Sequence, residues 1–466
     1  MSGTCKEKRM KTHIDKIKIK TNGKFLLTLM IHLVILSLFI VGLRAETAAY
    51  DLQGFLSRVE THSKDLKLAR KDLDMAKVYK KEAISTALPK VMLEGSYNRN
   101  LKDIFLFIDF PDFETGEMTN QKFKINYRNE FGFQAVVNQT LFSFKVGNAL
   151  RAAKQYKKLT DYVYDATHQN IIKFAKKAFY QTLLLKNVWE LSRASEKNAH
   201  ENYLQMKKKY DHGQISQFNL LQAEVRWQNQ IPETTKAKRN YELALNSLKD
   251  MAGIPDREEI DLHGNFERIP PMPVMEKLEP VLDRRPDYNA LVWEEKLRGT
   301  GIKSERANRL PSLDLNLIYN FSSLSDNFKL ERQNHAYIVG LNLSIPIFTG
   351  GYMQAQVQKA KIDLDKTRLK IQKQQEAISN ELRNIYLRLQ EANKRIQAAK
   401  TILETAKKAW KIAEVTAANG LATQLELKDA RMAYDQARLN SYVAAYDYLD
   451  AYFDWQQAVG RESVGQ

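Results

Sequence analysis

The chain has 466 residues, room for two or three ordinary domains, and it is helix-friendly and poor in glycine over long stretches. Its one cysteine, Cys5, lies in the leader described next, which excludes disulfides and a thiol nucleophile from the rest of the chain. The net charge of +17 falls to 63 basic against 53 acidic side chains once residues 1–45 are set aside, a solvated helical surface rather than a nucleic-acid footprint, since no aromatic-basic platform accompanies it.

At the N-terminus, Lys16, Lys18, Lys20 and Lys24 precede an apolar run from Phe25 to Leu43, ending at Leu43-Arg44-Ala45. This predicts an export signal over residues 1–45, cleaved after Ala45, with Met10 as an alternative start. No apolar lipobox precedes Cys5, so no lipid anchor is expected there. The competing reading keeps the apolar run as a membrane anchor.

Beyond the leader the chain repeats itself. Leu88-Pro89-Lys90-Val91-Met92-Leu93 matches Leu310-Pro311-Ser312-Leu313-Asp314-Leu315, 222 residues on. Gln139-Thr140-Leu141-Phe142 followed by Gly147 matches Ile345-Pro346-Ile347-Phe348 followed by Gly351, and the stretch Gly213 to Gly253 matches Gly420 to Gly460 at an offset of 207. Residues 46–253 and 277–460 therefore read as two structural repeats, joined by a linker over 254–276 and followed by a tail over 461–466. Each repeat runs helix, strand, strand, very long helix, turn, helix.

Alternating apolar and polar residues place strands at about 90–98 and 130–142, and again at about 312–321 and 336–348. Leu313, Leu315, Leu317, Tyr319 and Phe321 share one face, while Asp314, Asn316 and Asn320 share the other. Such strands fit a lipid-facing barrel, and equally a soluble sheet with one wet face. The first long helix is predicted over Asn148 to Tyr210, 63 residues or ~95 Å. In the second, apolar residues step by four and three from Ile378 through Leu382, Ile385, Leu389, Ala392, Ile396 and Ala399 to Trp410 and Ala413, a heptad seam that predicts left-handed supercoiling. Four strands cannot cross a membrane with open edges, so closure demands association, and three chains would give twelve strands and a wet lumen.

On these residues the chain resembles the outer membrane efflux protein family, the TolC-like channels, from about Tyr50 to Gly460. Three pieces carry the resemblance: Arg285-Pro286-Asp287 before a helix; Gly340-Leu341-Asn342-Leu343-Ser344-Ile345-Pro346-Ile347-Phe348-Thr349-Gly350-Gly351; and Asn419-Gly420 entering a helix with Asp429-Ala430-Arg431. The resemblance implies a homotrimer in the cell outer membrane of a Gram-negative type envelope. Its 12-stranded β-barrel, four strands per chain, would be continuous with a long periplasmic α-helical coiled-coil barrel. It implies passive exit, without a cofactor, for substrates delivered by an inner-membrane pump through a periplasmic adaptor, as in tripartite efflux or type I secretion. The linker would be the family's equatorial collar.

Pro89, Pro311 and Pro346 are expected at the strand–helix junctions, and Gly147, Gly350 and Gly351 where the long helices open. Gly213 and Gly420 would turn the chain at the hairpin tips. By resemblance Glu426 and Asp429, three apart on one helix face, stand where the family places acidic rings at the periplasmic mouth; their first-half equivalents are Asn219 and Gln222. Against this stands ordinary acidic decoration of a helix N-terminus. Ala417 and Ala422 occupy positions where the family's latch partners would be expected, so a mouth shut by those bonds is not predicted. The segment Leu101 to Arg128, with Phe105, Phe107, Phe110 and Phe113, is predicted as a long loop facing outward.

No enzyme is expected: the histidines at 62, 168, 200, 212, 263 and 335 lack metal-ligand spacing, and neither a phosphate-cradling glycine loop nor a nucleophile elbow is present. The alternative function is a periplasmic adaptor with a coiled-coil hairpin, which should carry one hairpin rather than a duplicated strand pair.

Overall fold

The computed structural model describes residues 48–111, 114, 116–419 and 421–461. The expected export signal, Phe113, Gly420 and the last five residues lie outside them. Two kinds of element dominate: strands that alternate apolar and polar, and helices far longer than any globular core requires.

The short strand β1 (Ala48–Tyr50) leads into helices α1 (Leu52–His62) and α2 (Lys64–Ser85). Asp51 caps α1 by accepting from the Gly54 amide at 2.8 Å. Strand β2 (Lys90–Arg99) follows, then β3 (Phe105–Pro111), β4 (Met118–Lys124) and β5 (Asn129–Phe142). The chain then enters α3 (Phe144–Asp211), turns at Gly213 and returns as α4 (Gln217–Ala252). After β6 (Ile260–Leu262) come α5 (Leu278–Arg284), α6 (Pro286–Ala307), β7 (Ser312–Ser325) and β8 (Gln333–Ser344). The last hairpin is α7 (Tyr352–Ala418) and α8 (Gln424–Ala458). At 68 and 67 residues, α3 and α7 are each ~100 Å long.

Strands β2, β5, β7 and β8 form one antiparallel sheet in that order. Each strand runs almost directly into a helix: α2 into β2, β5 into α3, α6 into β7, β8 into α7. The helices pack side by side in the same sequence, α2–α3–α6–α7. Farther from the sheet the order becomes α4–α3–α8–α7, so the chain is a ribbon one layer thick with α7 along one lateral edge.

The core lies where the hairpins meet this layer. Phe55, Val59, Leu66, Phe179, Leu248 and Leu262 form one buried cluster. Val281, Ile378, Leu382, Leu389, Tyr448 and Trp455 anchor the other. The seam of α7 is buried from Ile378 to Ala399, Ile385 being part-buried, and only half-buried from Leu403 to Ala413. The segment after β6 is strapped down by Tyr448, whose hydroxyl donates to the Pro270 carbonyl at 2.9 Å. Burial, aided by Tyr452, pushes the Tyr448 phenol up to about 12.

Gly253 and Gly460, both at left-handed φ, end α4 and α8, and each presses on the backbone that ends an earlier short helix, at His62 and Arg284. A Cβ at Gly460 would stand 2.9 Å from the Arg284 carbonyl carbon, closer than side chains approach.

Several expectations shift. The segment 101–128 is not a bare loop: β3 and β4 pair from Phe105↔Lys124 to Pro111↔Met118, because Phe105, Phe107 and Leu106, Ile108, Phe110 alternate across a ribbon. The strand read at about 336–348 spans Gln333–Ser344, since Pro346 cannot donate to a ladder. Helix α3 starts at Phe144, so Gly147 sits inside its first turn and does not make the bend. The parallel pair β1–β6, Ala48↔Ile260 to Tyr50↔Leu262, went unread because three-residue strands carry no period.

Candidate functional site

The sheet has two chemically distinct faces. Across the register Tyr97 meets Phe131, Phe133 meets Phe321, Tyr319 meets Tyr337, and Leu317, Leu315 and Leu313 meet Val339, Leu341 and Leu343. Tyr337 is 80 % exposed, Val339 73 % and Val91 68 %, so most of this apolar wall stands open, with Phe328 folded onto Tyr97 and Phe131 at one end. The opposite face carries Glu94 beside Gln134, Asn320 beside Gln134, Asn138 beside Asn316 and Asp314 beside Asn342. Thr140 donates to Asp314 at 2.8 Å on that face. One apolar row, Met92, Val136, Ile318 and Ile338, crosses that otherwise polar face. An apolar face backed by a mostly polar one, over strands of ten to fourteen residues, fits a lipid-facing barrel wall. Strands β2 and β8 are its two unpaired edges.

Pro89 and Pro311 each immediately precede a strand, β2 and β7, and Pro346 lies two residues past β8. Gly350 (φ 59°) and Gly351 (φ 82°) make the left-handed turn into α7, which a side chain would strain.

Arg285-Pro286-Asp287 forms a clamp. Pro286 opens α6, where its missing amide costs nothing. The buried Arg285 guanidinium grips Asp287 twice, Nε to Oδ1 at 2.9 Å and Nη2 to Oδ2 at 2.7 Å. Its Nη1 reaches Glu381 of α7 at 2.5 Å and the Ala458 carbonyl of α8 at 3.3 Å. Gln374 of α7 donates to Asp287 at 3.0 Å. Burial opposes charge on Asp287, but the Arg285 hydrogen bonds win and hold the carboxyl below its ordinary value. The motif thus binds the start of α6 to both helices of the last hairpin.

Next to it lies an ion ladder that sequence reading missed. Lys177 of α3 sits 2.9 Å from Asp450 and 2.7 Å from Asp454 of α8. Arg388 of α7 contacts Asp454 and lies 3.5 Å from Asp450, and Arg395 meets Asp447 at 3.0 Å. The heptad spacing of Arg388 and Arg395 was the available signal.

At the tips, Gly213 (φ 70°) turns α3 into α4, its amide donating to Tyr210 at 2.8 Å. The corresponding Gly420 is outside the described residues. Glu426 closes a capping box: its carboxylate accepts from the Thr423 amide at 2.7 Å and hydroxyl at 3.0 Å, while its own amide donates to Thr423 Oγ1 at 3.2 Å. Those bonds hold its carboxyl below the ordinary range. The motif Thr423-x-x-Glu426 was legible in the sequence as a capping box. Asn219 occupies the equivalent place in α4, its amide 3.4 Å from Ser216 Oγ, and Gln222 is exposed one turn on. Asp429 is exposed but acts across the hairpins: burial pushes the Arg226 guanidinium of α4 down, and the Asp429 charge opposes that shift. Among the described residues no group of three or more His, Cys, Asp or Glu is placed to hold a metal ion.

A four-stranded sheet with one apolar face thus runs strand by strand into ~100 Å helical hairpins. The sequence profile described as "Outer membrane efflux protein" matches residues 55–254 and 278–461. The chain belongs to the outer membrane efflux protein family, and its place is the outer membrane of a Gram-negative type envelope. It is similar to the alkaline protease secretion protein AprF of Pseudomonas aeruginosa, 22 % identical over 321 residues, covering 68 % of this chain and 66 % of that protein. It is similar also to the outer membrane protein TolC of Escherichia coli, 20 % identical over 339 residues, 70 % of this chain and 68 % of TolC. These matches span about two thirds of the relatives' own length. Among solved structures, the Campylobacter jejuni CmeC outer membrane channel shares the fold with a TM-score of 0.72 at 20 % identity, covering 89 % of this chain and 87 % of CmeC. The adaptor alternative falls with the family assignment.

Proposed function

We propose that three copies of this chain close into one passive exit duct, a twelve-stranded barrel continuous with a periplasmic helical tunnel. The observation that carries this reading is the four-stranded sheet with β2 and β8 unpaired and an apolar outer face. In lipid those edge amides and carbonyls would each lack a partner, at a cost of several kcal/mol per group, so the sheet must close with further copies. Two copies would give eight strands and an interior filled by side chains; three give twelve and leave water around Glu94, Gln134, Asn316 and Asn342. Because every strand continues into a helix in the same lateral order, closing the sheet also closes the helical layer.

The duct does no chemistry and supplies no energy. An inner-membrane pump, coupled through a periplasmic adaptor, delivers substrates to the hairpin tips. There Glu426 and Asp429, three copies of each, favour cations at the mouth. The reading is tested by the mass of the detergent-extracted, mature protein: three copies per particle support it, and a monomer or dimer refutes it.

A further inference from the structure

The ion ladder has a silent twin. The internal offset of 207 residues carries Arg388 onto Gln181, Arg395 onto Val188, Asp447 onto Asn240, Asp450 onto Leu243 and Asp454 onto Ser247. Gln181, Asn240, Leu243 and Ser247 line an open groove of about 400 Å³ between α3 and α4. The same groove therefore occurs once in each hairpin. In the second it is covered by α3, which lays Lys173 and Lys177 against Asp450 and Asp454. In the first it stands open, with Leu243 58 % exposed.

The same offset locates its missing cover. Lys173, Lys177 and Tyr180 of α3 correspond to Asn380, Asn384 and Leu387 of α7. All three are exposed, Leu387 at 57 %, on the helix that runs along one lateral edge of the chain. Both sides change together: each Lys, Arg and Asp of the ladder has a neutral counterpart. Had the two surfaces faced water, nothing would have required that. If they face each other in a water-poor contact, a charge on one side alone would be buried without a partner, at a cost that neutral residues avoid.

We propose that the α3–α4 groove is the seat of α7 from a second copy of this chain, with Asn384 of that copy over Leu243 and Ser247, and Asn380 close by. The inference rests on the ring proposed above and adds its lateral contact. Contacts within a chain are then ionic and contacts between chains neutral, at equivalent positions around the tunnel.

The test is a double-mutant cycle in the full mature protein. Leu243→Asp and Asn384→Lys, each alone, should speed trimer dissociation by about tenfold, as unpaired charges at a packed contact. Combined, they recreate the Lys177–Asp450 pair between copies, and dissociation should be at least ~5-fold slower than the two single effects multiplied together. A simple product overturns the inference while leaving the trimer standing. A wild-type protein that is not trimeric overturns the ring and this contact with it. Where a charged variant fails to assemble, Leu243→Cys with Asn384→Cys and a short bis-maleimide decides: covalent dimers and trimers are expected, and monomers alone refute the contact.

Discussion

Trp410 of α7 and Tyr434 of α8 stack across the second hairpin, ring centroids 5.1 Å apart and planes 11° from parallel. The first hairpin makes the same clasp with the residues exchanged, Tyr203 on Trp227 at 5.4 Å and 19°. The offset of 207 residues pairs Trp410 with Tyr203 and Tyr434 with Trp227, so the ring stack outlasts the identity of its rings. Arg431 adds its guanidinium over Trp410 at 4.7 Å. Because the seam is only half-buried here, aromatic contact supplies what a dry core supplies nearer the sheet. Trp410→Ala is expected to loosen the tip by about 1–2 kcal/mol, from the lost ring pair and burial. Amide hydrogen exchange should rise over 403–434 and stay unchanged around Leu382.

The Arg285 clamp predicts a larger loss. Arg285→Ala removes the two-pronged partner of Asp287, which keeps only Gln374 among side chains, and the side-chain donor to the Ala458 carbonyl, an effect of about 3 kcal/mol for a largely buried ion pair, read as a lower thermal midpoint in detergent. Arg285→Lys should recover only part, since one ammonium cannot replace the two-pronged grip on Asp287.

The same pair sets an acid limit. Asp287 has a folded-state pKa below its ordinary value of 3.8, so its stabilisation is complete above that value. It is lost as pH falls through the lowered folded value. A thermal-stability profile should drop on acidification below about pH 4, and Asp287→Asn should flatten that limb.

At the tip, Thr423→Ala removes the side-chain half of the capping box and should cost about 1 kcal/mol of local helix stability. Asp429→Asn removes an exposed acidic charge near the start of α8, at the hairpin tip. It is expected to raise the open fraction of single-channel records and to weaken cation preference. An unchanged record would return Asp429 to plain surface decoration.

Much of this fold was legible because two periods write themselves into the chain. Leu313 to Phe321 showed a strand by alternation, and Ile378 to Ala413 showed a long helix by heptads. Closure could be argued because four strands leave edges. What escaped were features set by distant partners. Lys177 and Asp454 lie 277 positions apart, and nothing local marks them as a pair. The β3–β4 ribbon was missed because Phe105-Leu106-Phe107-Ile108-Asp109-Phe110 is a nearly continuous apolar run that shows no period of two. At Glu426 the resemblance pointed to the mouth, while the local role was also on the page: Thr423 three residues earlier spells a capping box.

The central claim is that copies of this chain enclose a water-filled pore. Mature protein extracted in detergent and reconstituted into a planar bilayer should give discrete, long-lived, cation-preferring conductance steps from a three-copy particle. A bilayer that stays silent with correctly folded protein present, or activity from a single copy, would contradict it.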